Sequence, residues 1–191
     1  DKGKISIGGH DIKEYSLESL MRQISMVFQN VYLFQDTIEN NIKFAKPDAT
    51  HEEVVEAAKK ACCHEFIMKL PEQYETVIGE GGASLSGGER QRISIARAMI
   101  KNAPIIIFDE ATANVDPENE DKLQVAMEEL TRNKTVIMIA HRLKTIKNAN
   151  QILVLANGKI TQVGTHEELI KTDGIYKNFI EARQIAVNWK L

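Results

Sequence analysis

A chain of 191 residues is long enough for one sizeable domain with its own buried core. Its 24 Lys and Arg against 27 Asp and Glu give a formal charge of −3, so no global basic field argues for nucleic acid. The two cysteines, Cys62 and Cys63, are neighbours, which excludes the disulfide framework of a small secreted protein and fits a reducing compartment. No stretch reads as a signal peptide. The longest apolar runs, around Ile105–Phe108, Val136–Ala140 and Ile152–Ala156, are strand-sized and far short of a membrane span. Any membrane link would come through a partner or through chain outside these residues.

In chain order, Lys4–Ile7 reads as a short strand before a Gly8-Gly9 turn. Ser16 caps a helical turn to Arg22, and Ile24–Phe28 reads as a buried strand ending on Gln29. Residues 30–45 are mixed and turn-rich. Thr50 with Glu53 is a capping box, and Val54, Val55, Ala58 and Ala61 continue an amphipathic helix. A second helical stretch, His64–Leu70, stops at Pro71, so the segment from Thr50 to Gln73 reads as a helical insert. Cys62, Cys63 and His64 lack the further ligands a metal site needs and are expected to be ordinary helix residues. Thr76–Gly82 is a glycine-rich loop. A helix follows Ser86, then the apolar strand Ile105–Phe108, then a helix over Pro117–Leu130 with Asp116 as its N-cap. Thr135–Ala140 is another buried strand ending on His141, and Leu143–Ala149 a short helix. Gln151–Ala156 and Ile160–Val163 flank Asn157-Gly158, a hairpin signal. Thr165 with Glu168 is a further capping box, and Ile175–Val187 a final amphipathic helix. Apolar strands alternating with helices predict a parallel sheet covered on both faces.

Three apolar strands end in polar residues: Phe28 before Gln29, Phe108 before Asp109 and Glu110, Ala140 before His141. In an open parallel sheet ligands bind outside the carboxyl ends of the strands, so parallel strands would bring these side chains to one crevice. Two carboxylates, an amide and an imidazole suit a metal–phosphate complex. Asp109 is positioned to serve Mg²⁺ through oxygen, and Glu110 to polarise an attacking water. Each residue alone has a plainer reading: a turn glutamine, a structural histidine, a carboxylate capping the next helix. The segment Leu85–Glu89 has one too, because Ser86 and Glu89 form a capping box. Gly87 and Gly88 in its first turn argue for more, since each costs a helix about 0.5–1 kcal/mol relative to Ala. Such a turn lets bare amides approach an anion. Arg90 and Arg92 add positive charge, which a solvated helix face explains equally well.

These residues carry a family resemblance. Leu85–Arg92, LSGGERQR, resembles the signature motif of ATP-binding cassette (ABC) ATPases, and Ile105–Glu110, IIIFDE, their Walker B strand with its catalytic glutamate. Asn114–Asp116 lies at the D-loop, where the family more often has Leu before the Asp. Gln29 matches the Q-loop and His141 the switch histidine. The resemblance spans essentially the whole chain. It implies a P-loop NTPase (RecA-like), mostly parallel sheet with an inserted α-helical subdomain. Residues 1–29 would be an N-terminal remnant of the ATPase core. Residues 30–100 would hold the Q-loop, helical subdomain and signature helix, and 101–191 the rest of the core. Implied catalytic residues are Glu110, His141, Gln29 and Asp116. ATP would meet Ser86, Gly87, Gly88, Glu89, Gln29, Asp109 and His141, and Mg²⁺ would meet Asp109 and Gln29. The signature residues would serve ATP held by a second nucleotide-binding domain of a head-to-tail dimer.

Leu33-Phe34, Thr37-Ile38 and Asn41-Ile42, with Thr76–Gly81, resemble exporter-type segments that touch transmembrane domains. The resemblance therefore implies an exporter ATPase working at the cytoplasmic face of the cell membrane, with no nucleic-acid partner. A soluble ABC-class ATPase and a non-catalytic interaction module are the alternatives. The phosphate loop G-x-x-x-x-G-K-[ST] does not occur in the 191 residues. The expectation is a C-terminal part of a longer polypeptide, truncated before or at that loop. Such a fragment would be soluble, would lack the phosphate-loop strand and would not hydrolyse ATP alone. Apolar surface beside the missing strand would then be left uncovered.

Overall fold

A computed structural model describes residues 3–79, 85–109, 117–139 and 146–188. The chain divides into two compact units, Asp1–Ile139 and Ala140–Leu191.

In the first unit a small antiparallel pair, β1 (Ser6–Ile7) and β2 (His10–Asp11), turns on Gly8 and Gly9, both at positive φ. Ser16 caps α1 (Leu17–Gln23), which runs directly into β3 (Ile24–Val27). The segment expected to be irregular holds real structure. Asp36–Thr37 forms β4, and Thr37 accepts from the Asn40 amide to start α2 (Ile38–Lys43). The insert continues with α3 (His51–Lys60), opened by the expected Thr50–Glu53 capping box, and α4 (His64–Ile67). Part of the expected glycine-rich loop is also strand: β5 (Val77–Ile78) pairs antiparallel with β4.

The long helix α5 (Gly87–Lys101) begins on the Ser86–Glu89 capping box and ends on Asn102, whose φ of 52° gives the left-handed cap. It packs against α2, α3, β3 and α6 (Pro117–Thr131) and so joins the helical insert to the sheet. That sheet is parallel, in the order β3–β6–β7, with β6 (Ile105–Asp109) central and β7 (Thr135–Ile139) at its side. Ser25, Val27, Ile106 and Phe108 are buried, and the three apolar ones among them share a core with Ile93, Leu123 and Leu130. Within this unit no described residue covers the opposite face: Met26, Phe28, Ile137 and Ile139 are each about half exposed. Strand alternation explains the split, because successive side chains point to opposite faces. The expectation of cover on both faces thus holds for one face among this unit's described residues, which leave apolar surface uncovered on the other.

In the second unit, β8 (Ile152–Ala156) and β9 (Lys159–Gly164) form the expected hairpin. Asn157 and Gly158 both take positive φ, as a type I′ turn requires. Helix α7 (His166–Leu169) starts on the expected Thr165–Glu168 capping box. Helix α8 (Ile175–Asn188) packs Tyr176 and Ile180 with Leu169, Ile152 and Val154.

Candidate functional site

The parallel register settles which chain ends meet. Val27 pairs with Phe108 and Asp109 with Ile139, so β3, β6 and β7 finish at one carboxyl edge. Asp109 ends β6 half-buried on the open face, alternating with the buried Phe108. Gln29 follows β3 in an exposed bend two residues beyond Val27. Gln29 and Asp109, 80 residues apart in number, thus lie at the same edge of neighbouring strands. Glu110, Asp116 and His141 lie outside the described residues, as does part of the Thr76–Gly82 loop.

The signature segment is held as a helix start. The Ser86 hydroxyl accepts from the Glu89 amide at 3.3 Å, and Glu89 returns a carboxylate oxygen to the Ser86 amide at 2.8 Å. Arg90 donates to the Leu85 carbonyl, so it braces the entry to the helix. Gly88 is buried and Gly87 exposed. Arg92 is not on a solvated face: it is 3 % exposed, with its guanidinium over the Phe66 ring.

Two buried polar networks were not legible in the sequence. Asn41, 1 % exposed, accepts from the Phe34 amide at 2.9 Å and donates to the carbonyls of Phe34 and Thr37 at 3.1 and 3.0 Å. It also accepts from Arg97, which reaches the carbonyls of Asn41 and Tyr32. Burial lowers the Arg97 guanidinium to about 10. Arg97 lies 5.6 Å from both the Phe34 and Phe44 rings, and Tyr32 packs edge-on to Phe34. Tyr32 and Phe44 remain exposed, so this arginine backs an aromatic surface patch.

Within the insert, Glu39 accepts from Lys43 at 3.0 Å and pairs with His51 Nδ1 at 2.6 Å. His64 Nδ1 lies 2.8 Å from the Tyr74 hydroxyl. Cys63 is fully buried and donates to the Ala58 carbonyl; burial pushes its thiol up to about 12, which makes it inert rather than reactive. Among the described residues no cluster of three or more His, Cys, Asp or Glu could hold a metal ion. Cys62, at a positive φ, and Cys63, at the N-cap of α4, lie in the turn between two helices rather than within one as expected, and His64 opens α4. No helix among the described residues is long and apolar enough to cross a membrane.

Comparison with known proteins places these features. The family model described as ABC transporter matches residues 1–113. The ATP-dependent lipid A-core flippase of Syntrophus aciditrophicus (strain SB) is 53% identical over 174 residues, 91% of this chain and 29% of that protein. The flippase of Vibrio cholerae serotype O1 (strain ATCC 39315 / El Tor Inaba N16961) is 49% identical over 177 residues, 92% of this chain and 30% of its own length. A solved structure of a bacterial Atm1-family ABC exporter with ATP bound matches with a TM-score of 0.87 and 43% identity, covering 96% of this chain and 32% of that one. The chain therefore spans about a third of the length of the relatives it matches.

Proposed function

Because the chain belongs to the ABC transporter family, we propose that it is the ATP-binding and ATP-hydrolysing region of an exporter. The observation that carries this reading is the placement of Gln29 and Asp109 at the same carboxyl edge of neighbouring parallel strands. The named activity of the flippases, and the ATP in the matched exporter structure, support it. Residues 1–29 and 101–191 form the ATPase core in this reading, and 30–100 carry the Q-loop, helical subdomain and signature helix.

The donor set fits Mg²⁺: a carboxylate and an amide oxygen at an open edge, with phosphate oxygens to complete the shell, rather than a dedicated protein cage. When bound, Mg²⁺ neutralises charge on the phosphates. Asp109 and Gln29 would hold it, and Glu110 would take the proton of the attacking water. His141 would donate to the γ-phosphate. Ser86, Gly87 and Gly88, with Glu89 holding the helix start, would present amides and a hydroxyl to ATP on a second nucleotide-binding domain. Asp116 would act across that interface. The aromatic patch of Tyr32, Phe34 and Phe44, stiffened by Arg97, is the face proposed to meet the transmembrane domains. On this reading the region works at the cytoplasmic face of a membrane.

The test is Glu110→Gln in the full-length protein. Turnover should fall by about 10²-fold or more, the scale of a lost general base, while MgATP still binds. Hydrolysis at the wild-type rate would remove Glu110 from this role.

A further inference from the structure

The signature helix and the strand leading to Gln29 are pinned together at both ends. Gln91 is 4 % exposed and its Nε2 donates to the Phe28 carbonyl at 3.2 Å. At the other end of the same helix, Lys101 Nζ donates to the Ile24 carbonyl at 2.6 Å. The spans match: residues 91 to 101 of a helix rise about 15 Å. Residues 24 to 28 of a strand rise about 13 Å. The α5 helix therefore lies antiparallel along β3 and grips its first carbonyl and the one just past its end.

The second grip bears on chemistry. The Phe28 carbonyl belongs to the peptide group that contains the Gln29 nitrogen, and that group is planar. Holding the Phe28 oxygen therefore sets the direction in which Gln29 leaves the strand. Gln91 stands one helical turn after Gly87, so a single helix presents the Ser86–Gly88 turn and orients Gln29. Only the amide nitrogen of Gln91 can donate to a carbonyl, which settles the orientation of its amide. A buried glutamine is costly unless its polar atoms find partners, and the Phe28 carbonyl supplies one.

We propose that Gln91 is a positioning residue for the hydrolysis reaction: it sets the Gln29 peptide and locks its place to that of the signature turn. A shift of Gln29 on meeting nucleotide is then carried through Gln91 to Ser86–Gly88, and the reverse. This inference rests on the ATPase reading above.

The test compares Gln91→Met and Gln91→Glu with wild type in the full-length protein. Methionine keeps the volume and removes the donor. Turnover should fall about tenfold at an unchanged KM for MgATP, the sign of an interaction felt beyond ground-state binding. In the Gln29→Ala background the Gln91→Met change should cost nothing further, because its effect runs through Gln29. A buried glutamic acid donates only when protonated, so Gln91→Glu turnover relative to wild type should recover between about pH 8 and about pH 6. A residue that merely fills space would not produce that recovery. Hydrogen exchange of the Gln29 and Asn30 amides should quicken in Gln91→Met. Wild-type turnover in both variants, or additive losses with Gln29→Ala, would overturn the proposal. An inactive wild-type protein would defeat the ATPase reading instead, and the exchange measurement alone would then decide whether Gln91 holds Gln29.

Discussion

Asn41 shows how much a single buried side chain can organise. Its amide closes the loop from Phe34 to Thr37 onto α2 while its oxygen and carbonyl receive Arg97 from α5, 56 residues away. Removing it leaves several backbone groups and a buried guanidinium short of partners. Asn41→Ala should lower the unfolding free energy by about 2–4 kcal/mol, the range for breaking a buried polar network. Urea denaturation followed by circular dichroism checks this, and the loss should be accompanied by a less protected Phe34 amide. At this scale the sequence was partly legible. Asp109 and Gln29 stand out because each follows a run of apolar residues, Ile105–Phe108 and Met26–Phe28, a pattern visible in neighbouring letters. Gln91 and Arg97 were not, because nothing local distinguishes a polar helix residue facing solvent from one facing a carbonyl across the fold.

At the scale of elements, capping chemistry was the most readable signal. The boxes at Thr50–Glu53, Ser86–Glu89 and Thr165–Glu168 all formed, since each depends on atoms three residues apart. Helix α2 was missed because its six residues carry no full apolar period; its stability comes from Ile38 and Ile42 entering a core built by α3 and α5. Glu39 on this helix has a pH consequence. Burial raises its carboxyl, but hydrogen bonds and charge from His51 and Lys43 outweigh burial and leave it below its ordinary 4.5. A depressed carboxyl stabilises the fold fully above 4.5, and that share is lost as the pH falls through its lower folded value. Thermal melts from neutral pH downward should therefore show a loss of stability setting in below 4.5, and Glu39→Gln should make the curve flatter there.

At the scale of the molecule, the sheet of the first unit has one face packed and one apolar face left open by that unit's described residues, with Asp109 on the open side. The 191 residues contain no phosphate loop, and the matched relatives are about three times as long. Without that loop the chain lacks the backbone cradle that binds β- and γ-phosphates. Isothermal titration of the 191-residue chain with MgATP should accordingly give no saturable heat in the micromolar range. Micromolar binding would mean that the signature turn and the Gln29–Asp109 edge suffice for nucleotide.

The sequence by itself determined the longer local elements: which apolar runs become the strands of the parallel sheet, where the capped helices begin, and which polar residues follow the strands. Those outcomes rest on backbone sterics, side-chain period and caps, all acting within a few residues. Only the tertiary structure decided the order β3–β6–β7, the covering of one sheet face, the burial of Asn41 and Arg97, and the bond from Gln91 to the residue before Gln29. Each of these pairs groups far apart in the chain, and their energies depend on packing geometry that no neighbouring letters encode.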